Sequence, residues 1–355
     1  MKKRISLIAL AMLIFAIVFT LSACAGEKTP DTSTPDVTTE TTTTAPVTTA
    51  APLPCEVHTF EQTEEIPALA LRDGEKKFVC SVCGEENSEI IPATKSLKVL
   101  AIGNSFSTDA VKYLWNICKN AGVTELVVGN LSIGGCSLDT HYSHIQKGDV
   151  AYSYYKNTKG YSVDSSMSIQ AALADEDWDF ITLQQVSQNA GKPGTFTRLD
   201  EIVAFVSETC PDATILWHMT WAYQQDSTHG GFSGYDKDQM TMYNAIVKTT
   251  QTEIPKHSQI KGVIPSGTAI QNVRTSTVGD TLTRDGYHLG EGLGRYIVGV
   301  TWFAVLTGGD VSIPYYYPSV NAYKKEVQDS YHIVAEAVQN ALEFPFEVSQ
   351  SQYYY

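Results

Sequence analysis

Apolar residues follow three different patterns along the chain. They form one long run near the start, almost vanish before residue 55, and recur from Leu97 onward in short runs rich in Val, Ile and Leu. Each short run is separated from the next by a stretch long enough for a helix, which is typical of a parallel sheet covered on both faces. The predicted strands are residues 98–102, 126–131, 179–183, 214–219 and 262–264.

This alternation predicts an α/β fold over residues 95–345, followed by a tail of residues 346–355. We expect a three-layer α/β/α sandwich with a central five-stranded parallel sheet. An apolar stretch over residues 296–306 predicts a helix that closes the sheet. Functional residues of such sheets lie at the carboxyl ends of the strands, so the segments that follow the predicted strands are the candidates for chemistry.

The long apolar run belongs to a targeting signal. Basic residues open the chain, the run covers residues 5–21, and small residues precede Cys24. This pattern indicates a signal peptide of residues 1–23, and its resemblance to bacterial lipoproteins implies that Cys24 is lipidated. We therefore expect an extracytoplasmic protein anchored to the cell membrane. An uncleaved transmembrane helix is the alternative, but the run is short for a bilayer span.

Residues 24–54 consist mainly of Thr, Pro, Ala and acidic residues, with almost no large apolar side chain. Such a segment cannot bury enough surface to offset its ordering entropy. It predicts a flexible, disordered tether between the lipid and the folded part of the chain.

Residues 55–94 predict a small unit of their own, in which two pairs of metal-ligand side chains occur. The pairs are Cys55 with His58 and Cys80 with Cys83. Their spacing suits one tetrahedral zinc ion with a structural role, and the unit resembles a small Cys/His module of bacterial surface proteins. A disulfide or free thiols are the alternatives, because thiols oxidise outside the cytoplasm.

The formal net charge of −14 limits the partners that the protein can have. Binding to nucleic acid relies on clustered Lys and Arg, and the chain has 25 basic against 39 acidic side chains with no such cluster. We therefore exclude nucleic acid as a partner and expect a neutral substrate or polymer.

Two segments carry residue types suited to acyl chemistry. The first predicted strand stops at Gly103, and Asn104 and Ser105 follow it. A serine at this edge can be a nucleophile if a base lies within reach, but it can equally be a helix N-cap. Far along the chain, Asp285 precedes His288 by three residues. His288 could accept the serine proton while Asp285 orients the imidazole.

These segments resemble the first and last sequence blocks of the GDSL or SGNH hydrolases. The first block is Gly103-Asn104-Ser105-Phe106-Ser107, and the last contains Asp285 and His288. Order and separation match too, and the resemblance covers residues 97–342. It implies a flavodoxin-like fold and a Ser105, His288 and Asp285 triad that needs no cofactor for catalysis.

The resemblance also implies an oxyanion hole. Ser105 and Gly135 would supply backbone N–H groups, with Gly134 as the second choice of glycine. Asn104 stands where the family usually has Asp, and the family's Gly-x-Asn-Asp block is absent after the third predicted strand. A side-chain amide could take over the missing donor, or these side chains could only hydrogen-bond loops. The candidates, in order of preference, are Gln185, Gln184 and Asn189.

An aromatic and polar cluster follows the fourth predicted strand, and sugar rings stack on such side chains. We predict that it binds substrate, although packing in the core and a rival base among its members are the alternatives. The cluster consists of Trp217, His218, Trp221 and Tyr223.

Together these features predict a cell-envelope serine esterase that deacetylates an O-acetylated carbohydrate through an acyl-enzyme. The first alternative is a glycan-binding or scaffolding lipoprotein with a degenerate site, which the missing Gly-x-Asn-Asp block favours. Hydrolysis of a lipid ester or a thioester is another.

Overall fold

The structure, a computed structural model, describes residues 57–159 and 161–354. The predicted signal peptide, the tether with Cys24, and Cys55 lie outside the described residues. The described residues divide into two compact units, one with residues 57–65 and Lys76–Glu89, the other with Ile66–Glu75 and the described residues from Ile90 onward. In the ranges that the structure describes, no helix is both long and apolar enough to cross a membrane.

The described residues form ten strands and nine α-helices. The strands are β1 (Phe60–Ile66), β2 (Gly74–Cys80), β3 (Glu86–Ile91), β4 (Ser96–Gly103), β5 (Glu125–Ser132), β6 (Tyr152–Asn157), β7 (Tyr161–Met167), β8 (Phe180–Leu183), β9 (Thr214–His218) and β10 (Ile260–Ile264). The helices are α1 (Ser105–Val111), α2 (Leu114–Asn120), α3 (Leu138–Lys147), α4 (Ile169–Leu173), α5 (Leu199–Thr209), α6 (Gln239–Glu253), α7 (Ser266–Arg274), α8 (Leu293–Thr307) and α9 (Asn321–Glu343).

The first three strands form a small sheet in the order β1-β2-β3. Nearly every residue of β1 and β3 is exposed, so these strands bury little apolar surface. A sheet with so little core gains much of its stability from another source, such as a bound metal or a crosslink.

The larger sheet has seven strands in the order β10-β9-β8-β4-β5-β6-β7. The first five of these run parallel. Counted along the chain from β4, the parallel strands lie in the order 2-1-3-4-5, which is the flavodoxin-like order. In that order the connections leave the sheet in opposite directions on either side of the β4–β8 pair, and ligands bind in the crevice that opens there.

The predicted sheet of five strands is too small, because a hairpin extends it beyond β5. β6 pairs with β5 and β7 pairs with β6, both antiparallel. Tyr152 and Tyr154 are the buried residues of β6, and the Tyr154 hydroxyl donates to Asp175 at 2.7 Å. Tyrosine carries a polar hydroxyl on an apolar ring. The sequence of β6 therefore lacks the continuous apolar run from which the other strands were predicted.

Helices cover both faces of the parallel strands. β4 is buried over consecutive residues at its carboxyl end, which requires cover on each side. One group of helices, α1, α2, α7, α8 and α9, packs together, and α3, α4 and α5 form another. The stretch predicted as a closing helix lies inside α8, which is buried along almost its whole length. α8 is therefore a central element of the core.

We expect Ile297→Ala in α8 to lower the free energy of unfolding by about 2–5 kcal/mol, because it leaves a cavity in a core that cannot fully collapse. Ile297 has 0% of its surface exposed, whereas the control residue Val320 is 51% exposed. Val320→Ala should change the unfolding free energy by no more than about 0.5 kcal/mol. Urea titration followed by circular dichroism measures both, and equal effects would contradict a central α8.

Candidate active site

The turn between β4 and α1 holds Ser105 at the carboxyl edge of the sheet. Asn104 is the N-cap of α1 and its side-chain oxygen accepts the Phe106 N–H at 3.0 Å. Ser105 is the first residue of the helix. A Cβ on Gly103 would lie 2.8 Å from the Gln184 side chain, so only glycine fits there. Ser105 therefore lies in the first turn of α1, where backbone N–H groups have no partner within the helix.

Ser105, His288 and Asp285 form one continuous hydrogen-bonded chain. The Ser105 Oγ lies 2.8 Å from His288 Nε2, and His288 Nδ1 lies 2.7 Å from Asp285 Oδ2. Asp285 Oδ1 also accepts the backbone N–H groups of His288 at 2.8 Å and Tyr287 at 3.2 Å. Burial acts to raise the pKa of Asp285, but these hydrogen bonds hold it below its usual value. Asp285 therefore stays ionised and acts as an acceptor for the imidazole.

A second carboxylate, that of Asp109, joins α1 to the segment that contains Asp285 and His288. Asp109 lies one turn after the start of α1, and only 1% of its side chain is exposed. Both of its oxygens accept from Arg284 at 3.1 Å, and one accepts from Arg295 Nε at 2.7 Å. It also accepts the N–H of Leu289 at 2.9 Å. Since Arg284 and Leu289 flank residues 285–288, Asp109 fixes that segment against α1.

The loop after β5 brings two exposed glycines to the same edge. Ile133 donates its N–H to the Gly103 carbonyl at 3.3 Å, and the Asn104 amide donates to the Cys136 carbonyl at 3.1 Å. Gly135 adopts a φ of +68°, which the left-handed turn requires. Among the described residues its N–H has no hydrogen-bond partner. These hydrogen bonds hold the loop against the turn before Ser105. The Gly135 N–H is available there as a hydrogen-bond donor.

The neighbouring Cys136 is a buried thiol. Burial raises its pKa to about 12, so it stays protonated at neutral pH. It is poorly suited to act as a nucleophile.

The two candidate glutamines are both buried, but they use their amides differently. Gln185 Nε2 donates to Thr195 twice, at 2.8 Å to the carbonyl and 3.2 Å to the hydroxyl. Gln184 Nε2 donates to Asn104 Oδ1 at 2.9 Å, and its oxygen pairs with His218 at 2.9 Å. The Gln185 nitrogen therefore has two acceptors on Thr195, whereas the Gln184 nitrogen has one, on Asn104, among the described residues. Asn189, the third candidate, ends a short 3-10 helix of residues Ser187–Asn189.

The aromatic cluster predicted to bind substrate is instead buried. Trp217, His218, Trp221 and Tyr223 each expose 2% or less of their surface. Trp221 stacks on Phe106 with ring centroids 4.3 Å apart. A sugar cannot stack on an aromatic ring whose two faces are both covered by protein. The predicted stacking role is therefore wrong for these side chains. Trp221 instead packs against the residue that follows Ser105.

Two partly buried rings beside the hydrogen-bonded chain were not predicted. Tyr287 lies with its ring centroid 4.1 Å from that of His288 and 4.6 Å from that of His229. Tyr287 falls inside the Asp285-x-x-His288 motif, where it could have been noticed, whereas His229 sits in a loop without any motif.

Next to Asp285, a polar cleft of about 250 Å³ is lined by residues that include Ser227 and Thr228.

Three of the four predicted metal ligands lie together in the small unit. The ligand atoms of His58, Cys80 and Cys83 all lie within 4.8 Å of one another. His58 Nδ1 lies 3.3 Å from Cys83 Sγ, and His58 Nε2 lies 3.3 Å from the Glu85 carboxylate. An imidazole between a thiol and a carboxylate is the arrangement in which a second-shell acid orients a zinc-binding histidine. The donor set therefore suits zinc.

Most of the sequence matches a family of proteins. The model of "Domain of unknown function (DUF4886)" matches residues 98–334, which is more than half of the chain. The chain belongs to the DUF4886 family. A crystal structure of a DUF4886 family protein from Bacteroides uniformis is 40% identical, with a TM-score of 0.67, and the match covers 72% of this chain and 98% of that one. Both Ser105 and His288 lie within the family match.

Other solved structures are more distant from this DUF4886 chain. A candidate SGNH hydrolase from Slackia heliotrinireducens is 20% identical, with 60% of this chain and all of that chain covered and a TM-score of 0.39. An acetyl xylan esterase is 14% identical, with 59% of this chain and all of that chain covered and a TM-score of 0.39. No curated protein matches the chain.

We expect Asp109→Asn to lower the free energy of unfolding by about 3 kcal/mol, because it leaves Arg284 and Arg295 beside a neutral amide in a buried site. The matched control is Asp329→Asn on α9, where the exposed ion pair with Lys325 contributes no more than about 1 kcal/mol. Urea titration of both variants tests this, and similar stabilities would show that Asp109 does not hold the two segments together.

Proposed function

We propose that the protein is a serine ester hydrolase in which Ser105 is the nucleophile, His288 the general base and acid, and Asp285 the residue that orients His288. The observation that carries the proposal is the 2.8 Å contact of Ser105 Oγ with His288 Nε2, continued by the 2.7 Å contact of His288 Nδ1 with Asp285. A serine that only caps a helix needs no neighbouring base, whereas a serine nucleophile needs a base that accepts its proton.

The reaction follows from these contacts. The Ser105 Oγ attacks the acyl carbon while its proton moves to His288 Nε2, and the imidazolium then protonates the leaving alkoxide. Water enters next, loses a proton to His288 and attacks the acyl-enzyme, which releases the carboxylic acid and restores the Ser105 hydroxyl. Asp285 stabilises the imidazolium in both halves of the cycle.

We assign the oxyanion hole to the N–H groups of Ser105 and Gly135 and to the side chain of Gln184. The first two belong to the turns at the helix start and after β5, and both lie at the edge where the acyl oxygen would develop charge. Gln184 replaces Gln185 as the preferred amide donor, because the Gln185 nitrogen already lies within hydrogen-bond distance of two acceptors on Thr195.

The proposed substrate is an O-acetylated carbohydrate. The cleft beside Asp285 is lined mainly by side chains that hydrogen-bond, among them Asp226, Ser227 and Thr228. Such a lining suits a ligand with several hydroxyl groups better than a lipid chain. Anchoring through Cys24, which we also propose, would hold the enzyme outside the cytoplasm within reach of envelope polymers.

The test is hydrolysis of p-nitrophenyl acetate by the protein and by Ser105→Ala and His288→Ala. We expect each variant to lower kcat/KM by about 10³-fold or more, since members of a hydrogen-bonded triad act as a unit. Ser233→Ala and His332→Ala, both at exposed positions, are the matched controls and should keep full activity.

A folded wild-type protein without esterase activity on p-nitrophenyl acetate or acetylated xylan, and without labelling by a fluorophosphonate, would contradict the proposal. That outcome would favour a glycan-binding protein. A preference for long-chain esters would retain the mechanism but refute the carbohydrate substrate.

We also propose that His58, Cys80 and Cys83 bind one structural zinc ion, with Cys55 as the fourth ligand predicted from sequence. Zinc would crosslink the small unit, whose strands bury little apolar surface.

Mass spectrometry should find about one zinc per chain in protein purified without a metal-affinity tag, as expected for a four-ligand structural site. Zinc should be lost in Cys83→Ser and retained in Cys210→Ser, a cysteine outside the cluster. Zinc-free wild type with fewer reactive thiols than cysteines would instead indicate a disulfide.

A further inference from the structure

His218 is a buried histidine for which the proposed mechanism has no direct use. It ends β9, exposes 1% of its surface and packs edge-on against Trp302 with ring centroids 4.9 Å apart. Its Nδ1 lies 2.9 Å from Gln184 Oε1, and its Nε2 lies 3.0 Å from Ser266 Oγ. Both ring nitrogens are engaged, so His218 cannot serve as an alternative base.

The directions of these hydrogen bonds follow from two backbone groups. The Phe106 N–H can only donate, and the Cys136 carbonyl can only accept, so together they fix which end of the Asn104 amide is oxygen. Asn104 Oδ1 must then receive a hydrogen from Gln184 Nε2, which leaves Gln184 Oε1 facing His218.

The tautomer of His218 follows in turn. Burial lowers its pKa to about 3, so the ring is neutral and carries a single hydrogen. An acceptor, Gln184 Oε1, faces Nδ1, so the hydrogen is on Nδ1. Nε2 then accepts the hydroxyl hydrogen of Ser266.

These hydrogen bonds determine which end of the Gln184 amide faces the start of α1. Asn104 Oδ1 accepts from both Gln184 Nε2 and the Phe106 N–H, so the Gln184 nitrogen lies against the N-cap of α1. If the Gln184 amide rotated by half a turn, its oxygen would take that position and would repel a developing oxyanion. Two neighbours oppose this rotation: it would bring the Gln184 oxygen against Asn104 Oδ1 and the Gln184 nitrogen against the Nδ1–H of His218.

We propose that His218 is a positioning residue that holds the Gln184 amide with its nitrogen toward the oxyanion. The inference rests on the proposed function, and it deepens it by assigning a role to a residue that does not touch substrate. His218 acts only through Gln184, so its effect is on the transition state, where the oxyanion exists, and not on binding of the ester.

The test compares two neutral amides at position 218 in p-nitrophenyl acetate hydrolysis. His218→Asn places an N–H near the position of Nδ1, whereas the longer His218→Gln places its amide near Nε2 and leaves Gln184 without a donor. Loss of an oxyanion donor lowers kcat by about 10²–10³-fold, so we expect a fall of at least about 10-fold in His218→Gln and His218→Leu. KM should change less than about twofold, and His218→Asn should stay within about fivefold of wild type.

Two further measurements separate positioning from a general structural role. Gln184→Met and the double variant Gln184→Met with His218→Leu should have the same kcat, because the second change removes support from a donor that is already gone. In wild type, ¹⁵N NMR should show the Nδ1–H tautomer of His218 without titration from pH 5 to pH 9, and this readout needs no variant to fold.

Unchanged kcat in folded His218→Gln and His218→Leu would overturn the inference, as would additive effects in the double variant or an Nε2–H tautomer. The proposed function fails separately, through undiminished activity of Ser105→Ala. If Ser105 is essential while His218 is dispensable, only the role of His218 is refuted.

Discussion

A carboxylate removed from water remains an anion only when donors satisfy its oxygens, and separating it from those donors is costly. Asp109 meets this condition with Arg284, Arg295 and the N–H of Leu289. Two of these donors flank the segment of His288, while Asp109 itself belongs to the helix that begins at Ser105. Any shift of that segment against α1 would cost this buried carboxylate the donors Arg284 and Leu289 and leave it with Arg295 alone. Residues 183 positions apart in sequence are thereby kept in hydrogen-bond contact.

Asn104 extends this restraint to the loop after β5. A carboxylate at this position could only accept hydrogen bonds, whereas the amide also donates to the Cys136 carbonyl. The loop that contains Gly135 is thus bound to the same side chain that caps α1. Gly103 permits the arrangement because a side chain there would collide with Gln184. The helix start, the glycine loop and the end of β8 consequently meet at one residue.

Much of the fold could be predicted from apolar runs, because parallel strands covered on both faces are continuously hydrophobic. The five predicted strands coincide with β4, β5, β8, β9 and β10. The β6–β7 hairpin was missed because the buried positions of β6 are tyrosines between polar residues. The residue types alone left the pairing of Ser105 with the Asp285-x-x-His288 motif open beside a helix N-cap, and the family resemblance turned it into a prediction. Hydrogen-bond partners and burial are tertiary properties, so the sequence could neither separate Gln184 from Gln185 nor show that Trp221 is covered by Phe106.

Charge is distributed unevenly around Ser105, and this suits acyl transfer. The two carboxylates near it are each paired, Asp285 with His288 and Asp109 with two arginines. In contrast, the proposed oxyanion donor Gln184 is neutral, and so are the two side chains that hold it. These are Asn104 and His218, which burial keeps uncharged. A carboxylate in that network would oppose negative charge on the acyl oxygen at short range and low dielectric. Neutral amides and a neutral imidazole can fix a donor in place without adding that repulsion, which explains why a histidine rather than an acid can occupy the end of β9.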